Sequence, residues 1–139
     1  MKSVEEDNHI LIVLKNNEDF ISSIKDISIK YNIQNAIILS AIGQIKKFKL
    51  GFYQKGNYKI KSYEKPYEIV NLTGNIIKNF ENNFEFHIHA VFSDENMNTI
   101  GGHFIEGNVE LISEIIILKT NFKIKRIFDR TSHTKRIVF

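Results

Sequence analysis

The sequence predicts a single α+β domain over residues 1–139, a mostly antiparallel sheet of about six or seven strands with one amphipathic helix packed on it. Three observations lead there. Only one segment repeats its apolar residues at helical spacing, whereas at least six others are short β-rich runs. The gaps between those runs carry Gly, Asn, Asp or Pro, the residues of turns. With 139 residues, 42% hydrophobic and 25% charged, the chain suits one buried core and is too short for two.

The elements follow in order. His9–Leu14 (HILIVL) is a short apolar run bounded by polar sequence and reads as a buried strand. Asn16 or Asn17 then caps a helix over Glu18–Tyr31, with Glu18 and Asp19 favourable in its first turn and Phe20, Ile24, Ile27 and Tyr31 on one face. Ala36–Ile42 is apolar on both faces, as a central strand would be, and Gly43 breaks or bends it before Lys46, Lys47 and Lys49. Leu50–Tyr53, Tyr58–Tyr63, Tyr67–Ile77, Phe84–Phe92 and Val109–Leu118 complete the strands. No internal repeat or low-complexity segment interrupts them.

Composition removes several chemistries. Without cysteine there is no disulfide framework, zinc ribbon or cysteine nucleophile, so any metal site must use histidine and carboxylate. No apolar run approaches the roughly 18 to 20 residues that span a bilayer, and Met1 to Asp7 is polar and acidic, unlike a secretory leader. The expectation is a cytoplasmic protein with no membrane partner. Motifs of the GxSxG, GxxxxGK[ST] and GxGxxG types are missing, which leaves elbow-type serine hydrolysis and nucleotide binding unsupported.

Histidine is where chemistry concentrates. In FEFHIHAVF, strand alternation sends Phe84, Phe86, Ile88, Ala90 and Phe92 to the core, so Glu85, His87, His89 and Val91 share the opposite face. Residues two apart on a strand have Cα atoms roughly 6.5 to 7 Å apart, from which two imidazoles can converge on one ion. A third ligand is offered by His103, which follows a loop over Ser93 to Asn98 and the pair Gly101 and Gly102. The freedom of those glycines at positive φ would let the chain turn sharply and approach its neighbour without a Cβ clash, and the loop is long enough to return the chain antiparallel. Three neutral imidazoles plus water suit Zn²⁺ first, with Mn²⁺, Fe²⁺ or Ni²⁺ also compatible with the ligand type. The plainer reading is two histidines on a solvated sheet face that need no metal. His9 and His133 read as surface residues. Glu114, a carboxylate inside the apolar strand 111–118, is the candidate to orient a ligand imidazole from behind. Thr73, Gly74 and Asn75 read as a structural bend.

Six segments fall together in order: AIG at 41–43, LGFY at 50–53, TGNI at 73–76, HIHAVFSD at 87–94, GGHF at 101–104 and SEIII at 113–117. Taken together they resemble the plants-and-prokaryotes-conserved (PPC) domain over nearly the whole chain. The resemblance implies an α+β homotrimer, described in plants as the partner module of AT-hook DNA-binding proteins and in bacteria as a predicted DNA-binding protein. The family's histidine motif falls on His87, His89 and His103. The Arg-Gly-Arg hook of the plant proteins is absent here. More distantly the pattern is similar to acetolactate decarboxylase, a zinc enzyme of three-histidine type and much longer chain.

Charge supplies the remaining lead. Residues 119–139 hold seven Lys/Arg against one Asp, net +6, and residues 1–118 are net −3. Lys123, Lys125 and Arg126 are the nucleic-acid candidates, able to neutralise phosphates and multiplied threefold in a trimer. Phe122, Ile124 and Phe128 alternate with them, so FKIKRIF also reads as a final strand with a solvated face. Two functions compete on these features. One is a non-enzymatic trimeric module that holds a divalent metal or small ligand and engages DNA or a protein partner. The other is a metal-dependent lyase or hydrolase acting on a small carbonyl or ester compound.

Overall fold

The computed structural model describes residues 1–54 and 56–139. Its elements are β1 (Lys2–Glu6), β2 (His9–Lys15), α1 (Phe20–Lys30), β3 (Asn35–Gln54), β4 (Asn57–Tyr63), β5 (Tyr67–Lys78), β6 (Phe84–Ser93), β7 (Thr99–Thr120), β8 (Lys125–Asp129) and β9 (Thr134–Val138). The first seven strands make one antiparallel sheet in the order β1-β2-β7-β6-β5-β3-β4, and β8 and β9 form a separate hairpin. Since β7 also pairs with β3, the strands β3, β5, β6 and β7 close a circuit. Leu72, Ile88 and Phe92 are buried inside that circuit. The expected α+β class and single helix are what the chain adopts. Among the described residues no helix is long and apolar enough to cross a membrane.

The core forms where the inward rows meet. Ile10, Ile12 and Leu14 of β2, Phe20, Ile24 and Ile27 of α1, and Ile115 and Ile117 of β7 have no exposed surface. Each such side chain contributes about 1.5–3 kcal/mol by leaving water. An aromatic cluster fills the other end, with Phe48 4.7 Å from Phe92 and Phe104 5.8 Å from Phe92 between ring centroids. Phe20 reaches it from the helix, 5.4 Å from Phe104.

Four local expectations change. The helix begins at Phe20, and Asp19 itself is the cap, its Oδ1 accepting from Ser22 N at 2.7 Å. Asn17 sits at φ 68° in the preceding turn, and Glu18 accepts from Lys15 N outside the helix. Secondly, Ala36–Ile42 and Leu50–Tyr53 belong to one 20-residue strand, β3. Gly43 bends it at φ 120° without ending it, and a Cβ there would run into the Ile112 carbonyl. Thirdly, Gly101 and Gly102 do not turn. They lie within β7 opposite Val91 and Ala90, and the reversal is made by Asp94, whose Oδ1 accepts from Asn96 N and Asn98 N at 2.9 Å. Lastly, Lys2–Glu6 is an edge strand on β2 although its sequence is almost wholly polar and exposed.

Candidate metal centre

The three histidines come together through strand pairing. His87 and His89 point outward from β6 while Ile88, Ala90 and Phe92 are buried, as alternation requires. β7 then places His103 directly opposite His89. Opposed residues in an antiparallel ladder share a face and lie about 5 Å apart at Cβ, so this pairing alone delivers the third ring. The glycines before it serve close approach. A Cβ at Gly101 would sit 3.0 Å from the Ala90 carbonyl oxygen, and one at Gly102 3.0 Å from that of Gly51. Gly74 does the same for β5, since a Cβ there would collide with the His87 carbonyl. The predicted bend at 73–75 is therefore continuous strand, packed tightly on the backbone that carries the histidines.

One ring nitrogen of each histidine lies within 4.8 Å of the others. His87 Nε2 and His89 Nε2 are 3.1 Å apart, and the ring centroids are separated by 5.0, 5.4 and 5.6 Å. A tetrahedral Zn²⁺ with Zn–N near 2.0–2.1 Å spaces neighbouring donors about 3.3–3.4 Å apart. The first pair is already near that spacing, and a ring nitrogen of His103 lies within 4.8 Å of both. The residues therefore fit a divalent ion that the three imidazoles would hold.

Electrostatics favour the neutral ring at His87 and at His103. Burial, reinforced by the Arg126 charge and by His89 and His103, pushes His87 down to about 4. His103 is lowered by burial and then by His89 and Arg126, and its Nδ1 is buried without a hydrogen-bond partner. Neutral imidazole is the form that ligates metal. The Tyr58 ring of β4 packs beside His103 at 5.2 Å between centroids, fixing that side of the site.

The C-terminal hairpin closes over this face. Arg126 Nη2 donates to Asn75 Oδ1 at 2.6 Å and lies 3.4 Å from His87 Nδ1. Tyr53 Oη donates to the Ser132 carbonyl at 2.6 Å, and Lys135 Nζ donates to Glu85 Oε1 at 2.7 Å. Burial raises the Glu85 carboxyl, but the hydrogen bonds from Lys135 and Asn79 outweigh it and its pKa falls. Between hairpin and sheet lies a cavity of about 910 Å³ whose lining includes His87, His89 and His103. A guanidinium only donates, so in this arrangement His87 Nδ1 accepts and the ring carries its proton on Nε2, directed at His89.

The other sequence candidates are dispersed. Glu114 is exposed on β7 opposite Val13 and Ile42, eleven residues beyond His103 and on the order of 35 Å along extended strand, and does not line the cavity. It supports none of the three rings. Lys125 Nζ donates to the Lys78 carbonyl at 2.7 Å and sits over the Phe80 ring, while Lys123 is exposed beyond the end of β7. Arg126 joins the histidines. His133 is exposed, as expected, yet it too lines the cavity. Sequence reasoning passed over Asn75, Glu85 and Tyr58 as site residues and placed Arg126 among the nucleic-acid candidates rather than beside the histidines. Glu85 was legible, since it shares its face with both β6 histidines. Asn75 and Tyr58 carried no local signal.

Comparison with known proteins agrees with this architecture. A putative DNA-binding protein from Bacteroides thetaiotaomicron superposes with a TM-score of 0.92 at 20% identity, covering 99% of this chain and 96% of that one. A metal-containing protein from Archaeoglobus fulgidus gives 0.86 at 25% identity over 97% and 96% of the two chains. A plant- and prokaryote-conserved (PPC) protein from Pyrococcus horikoshii gives 0.82 at 25% identity over 96% and 91%. No curated protein matches the chain at a significant level. The more distant likeness to acetolactate decarboxylase is not among the things these matches show. The family model described as the Plants and Prokaryotes Conserved (PCC) domain matches residues 1–121. On its sequence, its fold and its coverage, the chain belongs to that family.

Proposed function

We propose that this domain is a non-enzymatic homotrimeric module that holds one divalent cation, zinc by preference, on His87, His89 and His103, with a small molecule admitted beside it. The observation that carries the reading is the convergence of three imidazole nitrogens within 4.8 Å of one another at the edge of a cavity. The Archaeoglobus fulgidus relative, described as metal-containing, lends support at 25% identity. Elemental analysis of protein purified without a histidine tag tests it. About one divalent ion per chain is expected, falling by at least tenfold in His103→Ala. An untagged protein free of metal after growth with zinc, and unable to take zinc up, overturns it.

Assembly is supported by an apolar outer surface. Leu11, Leu39, Ile42 and Ile116 are each at least 41% exposed, from neighbouring strands β2, β3 and β7. Isolated exposed apolar side chains are ordinary, but a contiguous group on one sheet face marks an interaction surface. A second copy of the chain would cover it.

The second reading is a metal-dependent lyase or hydrolase acting on a small carbonyl or ester compound. The cavity against the histidines favours it, because a three-histidine ion with an open position can polarise a carbonyl or acidify water. Turnover by the metal-loaded protein, lost in His87→Ala together with the metal, would establish it. Metal retained with no turnover on a panel of keto-acids and esters returns the account to a binding module.

DNA contact falls to fewer groups than the tail composition implies. Lys125 and Arg126 are turned into the protein, whereas Lys123, Arg130 and Arg136 stay exposed. We assign any duplex contact to these three in each copy. A gel shift that weakens steeply with salt and disappears when they are replaced by Gln supports it, and no shift at low salt removes DNA.

A further inference from the structure

Arg126 is a half-buried cation without a counter-ion. No carboxylate among the described residues lies within ion-pair distance of it, and its Nε is buried with no hydrogen-bond partner. The carboxylate whose field reaches it, Glu85, is held by Lys135 and Asn79. Burying an unpaired charge is costly, and a fold that retains one beside a cavity has a use for it. The cavity walls around it are largely aromatic, with Phe52, Tyr53, Tyr58, Phe86 and Phe128 among them. Phe52 and Phe128 are 67% and 59% exposed, a large apolar area left open to solvent.

We propose that this cavity binds a small organic anion, a carboxylate on an aromatic or similarly flat apolar body, with the Arg126 guanidinium taking the carboxylate and the aromatic walls taking the body. The proposal deepens the metal-holding reading of the same site and rests on it only in placing the anion beside the three histidines, since Arg126 lines the same cavity as they do. A planar fork of donors matches a carboxylate in two-point fashion. The hairpin that contributes Arg126 and Phe128 lies outside the residues 1–121 matched by the family model, so ligand choice is set by a segment separate from the histidine scaffold.

Isothermal titration of untagged protein of known metal content, with benzoate as probe and benzamide and inorganic phosphate as controls, tests this. Benzoate is expected to bind at least about tenfold more tightly than either control, the worth of one charge-assisted hydrogen bond. Arg126→Gln, compared with the wild type at equal measured metal content, should lose that preference by about the same factor, and Arg126→Lys, which keeps the charge but not the fork, should fall between. Thermal unfolding of both variants establishes that they fold. Metal-loaded protein that ignores benzoate at millimolar concentration, or binds benzamide or phosphate as well, overturns the subsite and leaves the metal reading standing. Benzoate binding through Arg126 in protein that takes up no metal upholds the subsite and overturns the metal reading. Unchanged benzoate affinity in Arg126→Gln shows the residue to be a structural partner of Asn75 and sinks the proposal.

Discussion

His87 carries more of the site than its neighbours because it touches two systems at once. Its Nε2 faces His89 and its Nδ1 faces Arg126, and burial beside that cation lowers its pKa to about 4. In the unfolded chain the same ring titrates near 6.5. Between those values the unfolded state binds more protons than the folded one, so stability falls as pH is lowered from about 6.5 towards about 4. Above 6.5 both states are neutral and the contribution vanishes. Metal-stripped protein should therefore show a melting temperature that declines from pH 7 to pH 5, and His87→Ala should flatten the decline. An equal decline in the variant would contradict the assignment. The pair on β6 was legible because alternation with Phe84, Phe86 and Ile88 leaves one choice of face. Arg126 was visible only as a charge, since nothing in FKIKRIF tells that its guanidinium crosses to Asn75, 51 residues earlier.

At the level of elements, long strands replace the shorter ones that periodicity suggests. β3 runs 20 residues and β7 runs 22, each passing through register shifts that alternation reads as ends. Lys47 at φ 47° and Leu111 at φ 59° mark irregularities that the side-chain pattern does not announce. β1 was illegible for a different reason: an edge strand that is exposed at every position but Ser3 needs no apolar alternation, and charge protects it from further pairing. Of the two properties expected of Gly101 and Gly102, a sharp turn and close approach without a Cβ clash, the second is the one the sheet uses, and Gly74 adds to it where β5 meets the backbone of His87. Gly74→Ala should accordingly cost about 1–3 kcal/mol, the range for overpacking, and weaken zinc uptake with it. Urea denaturation of the variant checks this, and a loss below about 0.5 kcal/mol would show that the sheet yields without penalty.

For the molecule as a whole, the paired rows of the sheet join the site to the apolar surface. His9, Leu118, Ile37, Asn75 and His87 are successive cross-strand partners, so the face bearing the histidines is continuous with the one bearing Leu11 and Ile116. Assembly on that face would place the cavities near subunit boundaries and shelter their aromatic walls. Light scattering of the 16.2 kDa chain should give about three times that mass, and Ile42→Asp should shift it towards the monomer. A wild-type protein monomeric at micromolar concentration would remove the trimer. The α+β class and the histidine set were readable because both follow from local alternation. The closed strand circuit and the hairpin over the site were not, because they depend on pairings between residues far apart in sequence.

The central claim is one ion on three imidazoles, and anomalous diffraction at the zinc absorption edge from crystals of untagged, zinc-loaded protein tests it most directly. The expected result is a single strong peak per chain about 2 Å from ring nitrogens of His87, His89 and His103. Zinc found only elsewhere on the chain, with those three rings bound to nothing but one another and Arg126, would contradict it.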